Sequence, residues 1–165
     1  MLAGYDRDML RISVSAVTSA SPEQVLGAAS DFSEQRAKVW PNVKAKHLEV
    51  HDSGAEFAEV TEGIWIIGLF WERCRYEWSQ PGSVKATVLD SNVLEPGSTW
   101  ELRAVPRNGG SAVEMILNRN FRTSPKGTLG SAVNHLSGKR GWGSYLRRVL
   151  AAVEKQSTQS QVLDR

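Results

Sequence analysis

The order of elements along this chain is lopsided. One strand pattern comes first, two short helices follow, then strand patterns run from Lys44 to Phe121, and one long helix comes last. A wide sheet with a single long helix cannot be covered on both faces. Such a chain can bury its apolar faces by curving an antiparallel sheet around the helix, with room for a cavity between the two. The order therefore speaks to a binding cavity and says less about what fills it.

The individual patterns support this reading. From Leu10 to Thr18, Ile12, Val14 and Ala16 alternate with Arg11, Ser13 and Ser15, as in a half-buried strand. Ser21 is a good N-cap, Pro22 suits the first helical position, and Val25, Leu26, Ala29 and Phe32 form the apolar side of that helix. A second short helix spans Glu34 to Val39, closed by Pro41. Ala45 to His51 reads as a strand and Asp52-Ser53-Gly54 as a tight turn. Further strands follow over Glu56 to Gly63, Phe70 to Ser79, Val84 to Leu89, Trp100 to Val105 and Val113 to Phe121, with Arg107-Asn108-Gly109-Gly110 as a hairpin loop. The last helix is expected from about Thr128 to Lys155, with Gly138, Gly141 and Gly143 in its middle. Each glycine costs about 1 kcal/mol relative to alanine. Either this helix bends there, with Trp142 as a movable cover, or it packs closely on the sheet as a straight rod. The expected division is an extension over 1–9, one domain over 10–155 and a flexible tail over 156–165.

At 165 residues, with 41% hydrophobic and 23% charged residues, the chain has the composition of an ordinary globule with a full core. A formal charge of +2 gives no reason to expect a nucleic-acid partner. Cys74 is the only cysteine, so an internal disulfide is excluded, and a reducing cytoplasm suits the chain. The longest apolar stretch, Ile64 to Trp71, falls far short of the roughly 20 residues that span a bilayer. No secretory signal is read at the N-terminus.

Several stretches together resemble a known family. They are Ile12-Ser-Val-Ser-Ala16, Ala20-Ser-Pro-Glu-Gln-Val25, Ser30-Asp-Phe32, Trp40-Pro41, the Pro81-Gly82 turn and Gly97-Ser-Thr-Trp100. In this order they resemble the START/Bet v1-like (SRPBCC) superfamily, within it the bacterial polyketide cyclase/dehydrase and lipid-transport group. The resemblance runs from about Leu10 to Val153. It implies an α+β helix-grip fold: a curved antiparallel sheet, two short helices after the first strand and a long C-terminal helix. It also implies a hydrophobic ligand held between sheet and helix, with cyclisation or dehydration there in some members. No catalytic motif carries over, and no cofactor is implied. The glycine-rich helix and the Ile64 to Trp71 segment depart from the pattern.

If the apolar strand faces are concave, they carry Val14, then Cys74, Tyr76 and Trp78, then Val88. Trp100 and Leu102, and Met115 and Leu117, follow from the last two strands. These side chains line a ligand cavity or fill a solid core; the resemblance favours the cavity. In either case Trp78 and Trp100 are expected to be largely buried and Trp71 to lie on the convex side. Glu72 and Arg119 fall in phase with the concave face, where they pair, meet a polar ligand group, or reach solvent at strand ends. Tyr76 offers a hydroxyl to a ligand carbonyl or is a core tyrosine. His135 either faces the cavity as an acid or base or lies on the helix surface. His47 and His51 on one strand would stand about 13 Å apart, too far to share a metal. Lys139, Arg140, Arg147 and Arg148, with Trp142 and Tyr145 among them, form either a contact for RNA or acidic lipid head groups or a solvated face. No nucleophile motif or phosphate loop is present. The expected function is binding or carriage of a small hydrophobic, lipid- or polyketide-like molecule, with no metal and an undetermined oligomeric state. The alternatives are an aromatase/cyclase-type enzyme and a protein- or ribosome-interaction module. A carrier needs an apolar lining, an enzyme needs converging polar groups, and an interaction module needs a filled interior.

Overall fold

The computed structural model describes residues 9–65 and 68–163, with side chains to residue 160. The elements run β1 (Leu10–Thr18), α1 (Pro22–Ser30), α2 (Arg36–Val39), β2 (Glu49–Ser53), β3 (Phe57–Trp65), β4 (Leu69–Glu77), β5 (Ser83–Ser91), β6 (Thr99–Arg107), β7 (Gly110–Arg119) and α3 (Pro125–Leu163). The strands form one antiparallel sheet in the order β1-β7-β6-β5-β4-β3-β2. The first strand thus pairs with the last, from Leu10 opposite Arg119 to Thr18 opposite Ser111.

Local chemistry explains most of these elements. Ser21 Oγ accepts from the Gln24 amide at 3.2 Å and Gln24 Oε1 accepts from the Ser21 amide at 2.9 Å, a reciprocal cap at the start of α1. Asn108 and Gly109 both have positive φ, 45° and 79°, which is what a two-residue hairpin between β6 and β7 requires. Two expectations shift. Ala45–His47 is a 3-10 turn, closed by the Leu48 amide on the Ala45 carbonyl at 3.2 Å, and the strand begins only at Glu49. A bulge between Val50 and Asp52 then lets Asp52 and Ser53 pair with Glu59 and Ala58, so the turn falls later, where the Gly54 amide meets the Phe57 carbonyl at 2.9 Å.

The concave face divides into two halves. On β1, β7 and β6, the buried Val14, Met115, Leu117 and Leu102 form a solid core. α1 packs over β6, and the second half of α3, through Leu146, Val149, Leu150 and Val153, packs over β1. α1 also reaches β5, but over β3 and β4 no such helix is pressed down, and the space there stays open.

α3 is longer than expected at both ends. Past Lys155 it continues to Leu163, because no glycine or proline follows Gly143 to stop it, so the expected flexible tail is helical that far. The helix breaks once, at Gly138, with φ 50° and ψ −148°. The bend is therefore real, and one glycine carries it. A side chain at that backbone conformation, which essentially only glycine adopts, is strained by roughly 1–3 kcal/mol, whereas Gly143 has ordinary helical geometry, and an added Cβ would meet only Arg147 Nη1 at 3.4 Å. Gly138→Ala is expected to destabilise the protein by about 1–3 kcal/mol in urea unfolding, and Gly143→Ala to stabilise it by up to about 1 kcal/mol. A gain from Gly138→Ala would mean that the helix is straight in solution.

Candidate functional site

The open half of the sheet holds a cavity of about 510 Å³, a size that takes a drug-sized molecule. Its floor is the concave face of β3 to β6. Its roof is α3 from Leu129 to Tyr145, crossing the bend at Gly138. Trp40, Asn42 and Val43, leading out of α2, close one side.

Aromatic rings dominate the wall. Trp40 meets Trp100 edge to face with centroids 5.5 Å apart, and Trp100 stands 6.2 Å from Tyr76. Trp142 and Tyr145 meet at 5.3 Å under the roof. Edge-on contacts of this kind fix the ring orientations beyond simple burial.

Two polar stations interrupt the apolar wall. At the first, the buried Arg36 donates from Nε to Glu62 Oε1 in a short contact and from Nη1 to the Ala29 carbonyl at 3.0 Å. The Tyr76 hydroxyl donates to Glu62 Oε2 at 2.8 Å. The guanidinium lies 4.4 Å from the Phe32 centroid and 5.0 Å from that of Tyr76. Burial alone would lower the Arg36 pKa, but the adjoining Glu62 carboxylate outweighs it and holds the guanidinium above its ordinary value. Burial first, and Glu62 second, push the Tyr76 hydroxyl well up. At the second station Arg119 Nη1 donates to Glu72 Oε1 at 3.1 Å, and its guanidinium lies 5.5 Å from the Trp142 ring. The Cys74 thiol faces Glu72 Oε2 at 3.8 Å; burial first, then Glu72, push its pKa well up.

The roof is tied in by side chains. Trp142 Nε1 donates to Asn134 Oδ1 at 3.1 Å, joining the two halves of α3 across the bend. The Tyr145 hydroxyl donates to Asn42 Oδ1, tying α3 to the α2 side. Burial, then Glu62, raise the Tyr145 pKa.

Of the side chains expected to line a cavity, Glu72, Cys74, Tyr76, Val88, Trp100, Arg119 and Trp142 come together here. Leu102, Met115 and Leu117 share their phase but lie in the filled half, with no measurable exposure, and are core. Trp78 lies past the end of β4, stacks 6.3 Å from Phe32 and donates from Nε1 to the Ala55 carbonyl at 3.0 Å. Trp78 and Trp100 are half-buried rather than largely buried, Trp100 because the cavity lies against it. Trp71 alternates with Glu72 and, with His47, Thr61 and Leu69, borders a shallow convex hollow, while also touching the cavity rim. The two residues after Trp65, Ile66 and Ile67, lie outside the described residues. His135 is exposed, its Nδ1 2.9 Å from the Ser131 carbonyl, because Val133, Asn134 and Ser137 take the cavity side of that turn. Lys139, Arg140, Arg147 and Arg148 are all exposed, whereas Trp142 and Tyr145 face inward. Among the described residues no three His, Cys, Asp or Glu side chains gather as a metal site would need, and no helix is long and apolar enough to cross a membrane.

Sequence reasoning missed Arg36, Trp40, Asn42, Glu62, Asn134 and Tyr145. A signal existed for Glu62, which continues the buried face of Ala58 and Val60 on β3. Arg36 gave none, since its partner is 26 residues away.

The raised protons of Cys74, Tyr76 and Tyr145 have a consequence for stability. Ordinary values are 9.0 for the thiol and 10.0 for the hydroxyls. The folded chain holds these protons more tightly than the unfolded one. Stability is therefore full below about pH 9 and falls as pH rises toward the folded values, by up to about 1.4 kcal/mol per pH unit per group. The thermal midpoint is expected to drop between about pH 9 and roughly 11, and Tyr76→Phe to flatten that drop. An unchanged slope in Tyr76→Phe would show that Tyr76 ionises normally.

No protein-family model matches the chain, and no curated relative does. Solved structures do. Zhui aromatase/cyclase from Streptomyces sp. R1128 superposes with a TM-score of 0.74 at 13% identity, over 91% of this chain and 96% of that one. A START superfamily protein from Mycobacterium smegmatis gives 0.66 at 13% identity, over 92% and 99%. Major latex-like protein 151 from Panax ginseng gives 0.57 at 10% identity, over 87% and 96%. Likeness at such low identity establishes architecture: the fold of this chain is the START/Bet v1-like helix grip.

Proposed function

We propose that this protein binds or carries a small hydrophobic, ring-bearing molecule in the cavity between sheet and α3. The observation that carries the reading is the cavity itself, about 510 Å³ walled by Trp40, Tyr76, Trp100, Trp142 and Tyr145. Such a wall gains from burying a flat apolar ligand and supplies only a few polar groups to orient it. A filled interior, which an interaction module would need, is not what these residues build.

The polar stations favour a second reading, a cyclase- or dehydratase-type enzyme acting on a polyketide-like chain. Cys74 stays protonated near neutral pH with the Glu72 carboxylate 3.8 Å away as an acceptor, and the Tyr76 hydroxyl, also protonated, is held by Glu62 at 2.8 Å as a second proton-bearing pair. One of the structurally similar proteins is an aromatase/cyclase. An enzyme and a carrier differ in whether the bound molecule changes.

Native mass spectrometry of protein purified from its source tests both. A non-covalent ligand is expected in the wild type. Ala86→Phe, which places a ring on the cavity floor, is expected to reduce its occupancy about tenfold or more while circular dichroism stays unchanged. Equal occupancy in a folded Ala86→Phe variant would place the ligand elsewhere. A bound molecule released with altered mass on incubation would favour the enzyme.

A further inference from the structure

The charges inside the cavity limit what can enter it. Among the described lining residues, four are charged: Arg36, Glu62, Glu72 and Arg119. Each arginine is matched by a carboxylate, Arg36 by Glu62 in a short contact and Arg119 by Glu72 at 3.1 Å. Two positive and two negative groups sum to zero. The pairs are also local, so no part of the wall carries a lone cation. An organic anion entering this space would shed its hydration shell and find each guanidinium already facing a carboxylate. Repulsion from that carboxylate would offset most of the attraction. The protonated Cys74, Tyr76 and Tyr145 add no charge near neutral pH.

Uncharged oxygen fares better. Arg119 has five N–H groups available by its chemistry, and one of its nitrogens, Nη1, is seen meeting Glu72. The Tyr76 hydroxyl, donating to Glu62, keeps acceptor lone pairs. A hydroxyl or carbonyl can use these without bringing charge, while its rings lie against Trp100 and Trp142.

We infer that the cavity selects uncharged ring-bearing molecules with hydroxyl or carbonyl oxygens and rejects organic anions such as carboxylates and sulfonates. The inference rests on the ligand-binding reading above and names the ligand's charge class. Glu72 is the specificity-determining residue, because it is the carboxylate that neutralises the more accessible arginine: the Arg119 side chain is 12% exposed against 2% for Arg36.

Two fluorescent probes test it. N-phenyl-1-naphthylamine and 8-anilinonaphthalene-1-sulfonate have the same rings and differ by a sulfonate. Sulfonate binding is counted only where the neutral probe displaces it, so that attachment to exposed basic surface is left out. In the wild type the neutral probe is expected to bind about tenfold or more tighter. Glu72→Gln leaves Arg119 without its counter-charge and is expected to shift the ratio toward the sulfonate by about tenfold. Adding Arg119→Met to that variant is expected to remove the shift. Equal affinities in the wild type, or tighter sulfonate binding, overturn the inference and leave the ligand-binding reading standing. A ratio unmoved by Glu72→Gln, or a shift that survives Arg119→Met, overturns the role of this pair. Binding of neither probe overturns both readings. If Glu72→Gln does not fold, the wild-type ratio decides alone.

Discussion

The buried ion pair between Arg36 and Glu62 sets the geometry on which the cavity depends. A guanidinium keeps its charge even with almost no exposure, so burying it without partners would cost several kcal/mol. Here the partners come from three separate places: the Glu62 carboxylate on β3, the Ala29 carbonyl and Phe32 ring at and just past the end of α1, and the Tyr76 ring on β4. Satisfying one side chain therefore fixes α2 against β3 and β4. That in turn places Trp40 and Asn42 along the open side of the sheet, where Trp40 meets Trp100 and Asn42 receives the Tyr145 hydroxyl. A hydrophobic residue in place of Arg36 would pack, but it would not demand this arrangement.

The second constraint is the shortage of helix. One long helix cannot cover seven strands. The half of α3 after Gly138 closes down on β1 and completes the core, while the half before it spans the open strands without filling the space beneath. The break lets a single helix serve both purposes. The Trp142 to Asn134 hydrogen bond then holds the two halves in register.

What was legible in the sequence is local or periodic. β1, the Ser21 cap and the Asn108-Gly109 hairpin each follow from a few adjacent residues. Period-two alternation also placed Cys74, Tyr76, Trp100, Glu72 and Arg119 on the concave face, and they line the cavity. The same alternation misassigned Leu102, Met115 and Leu117, because phase tells which face a residue occupies and not which half of that face a helix covers. His135 was open to either reading because the sequence does not say which side of its turn faces the sheet; Val133, Asn134 and Ser137 take that side. Arg36, Trp40 and Tyr145 were invisible as site residues, since their partners lie far off in the chain. Tyr145, for instance, reaches Asn42 across 103 positions.

The pairing of β1 with β7 also bears on the order in which the fold can form. Ser13 bonds Glu114 across 101 residues, and Thr18 reaches Glu154 across 136. The meander from β2 to β7 can zip up from neighbouring hairpins, but the first strand has no partner until the last one exists. Closing so long a loop is entropically costly and comes late. During synthesis β1 therefore leaves the ribosome with its Ile12 and Val14 face uncovered, and waits for most of the chain to follow. The β1 edge of the filled half, which looks like the foundation of the fold, is the part that closes last.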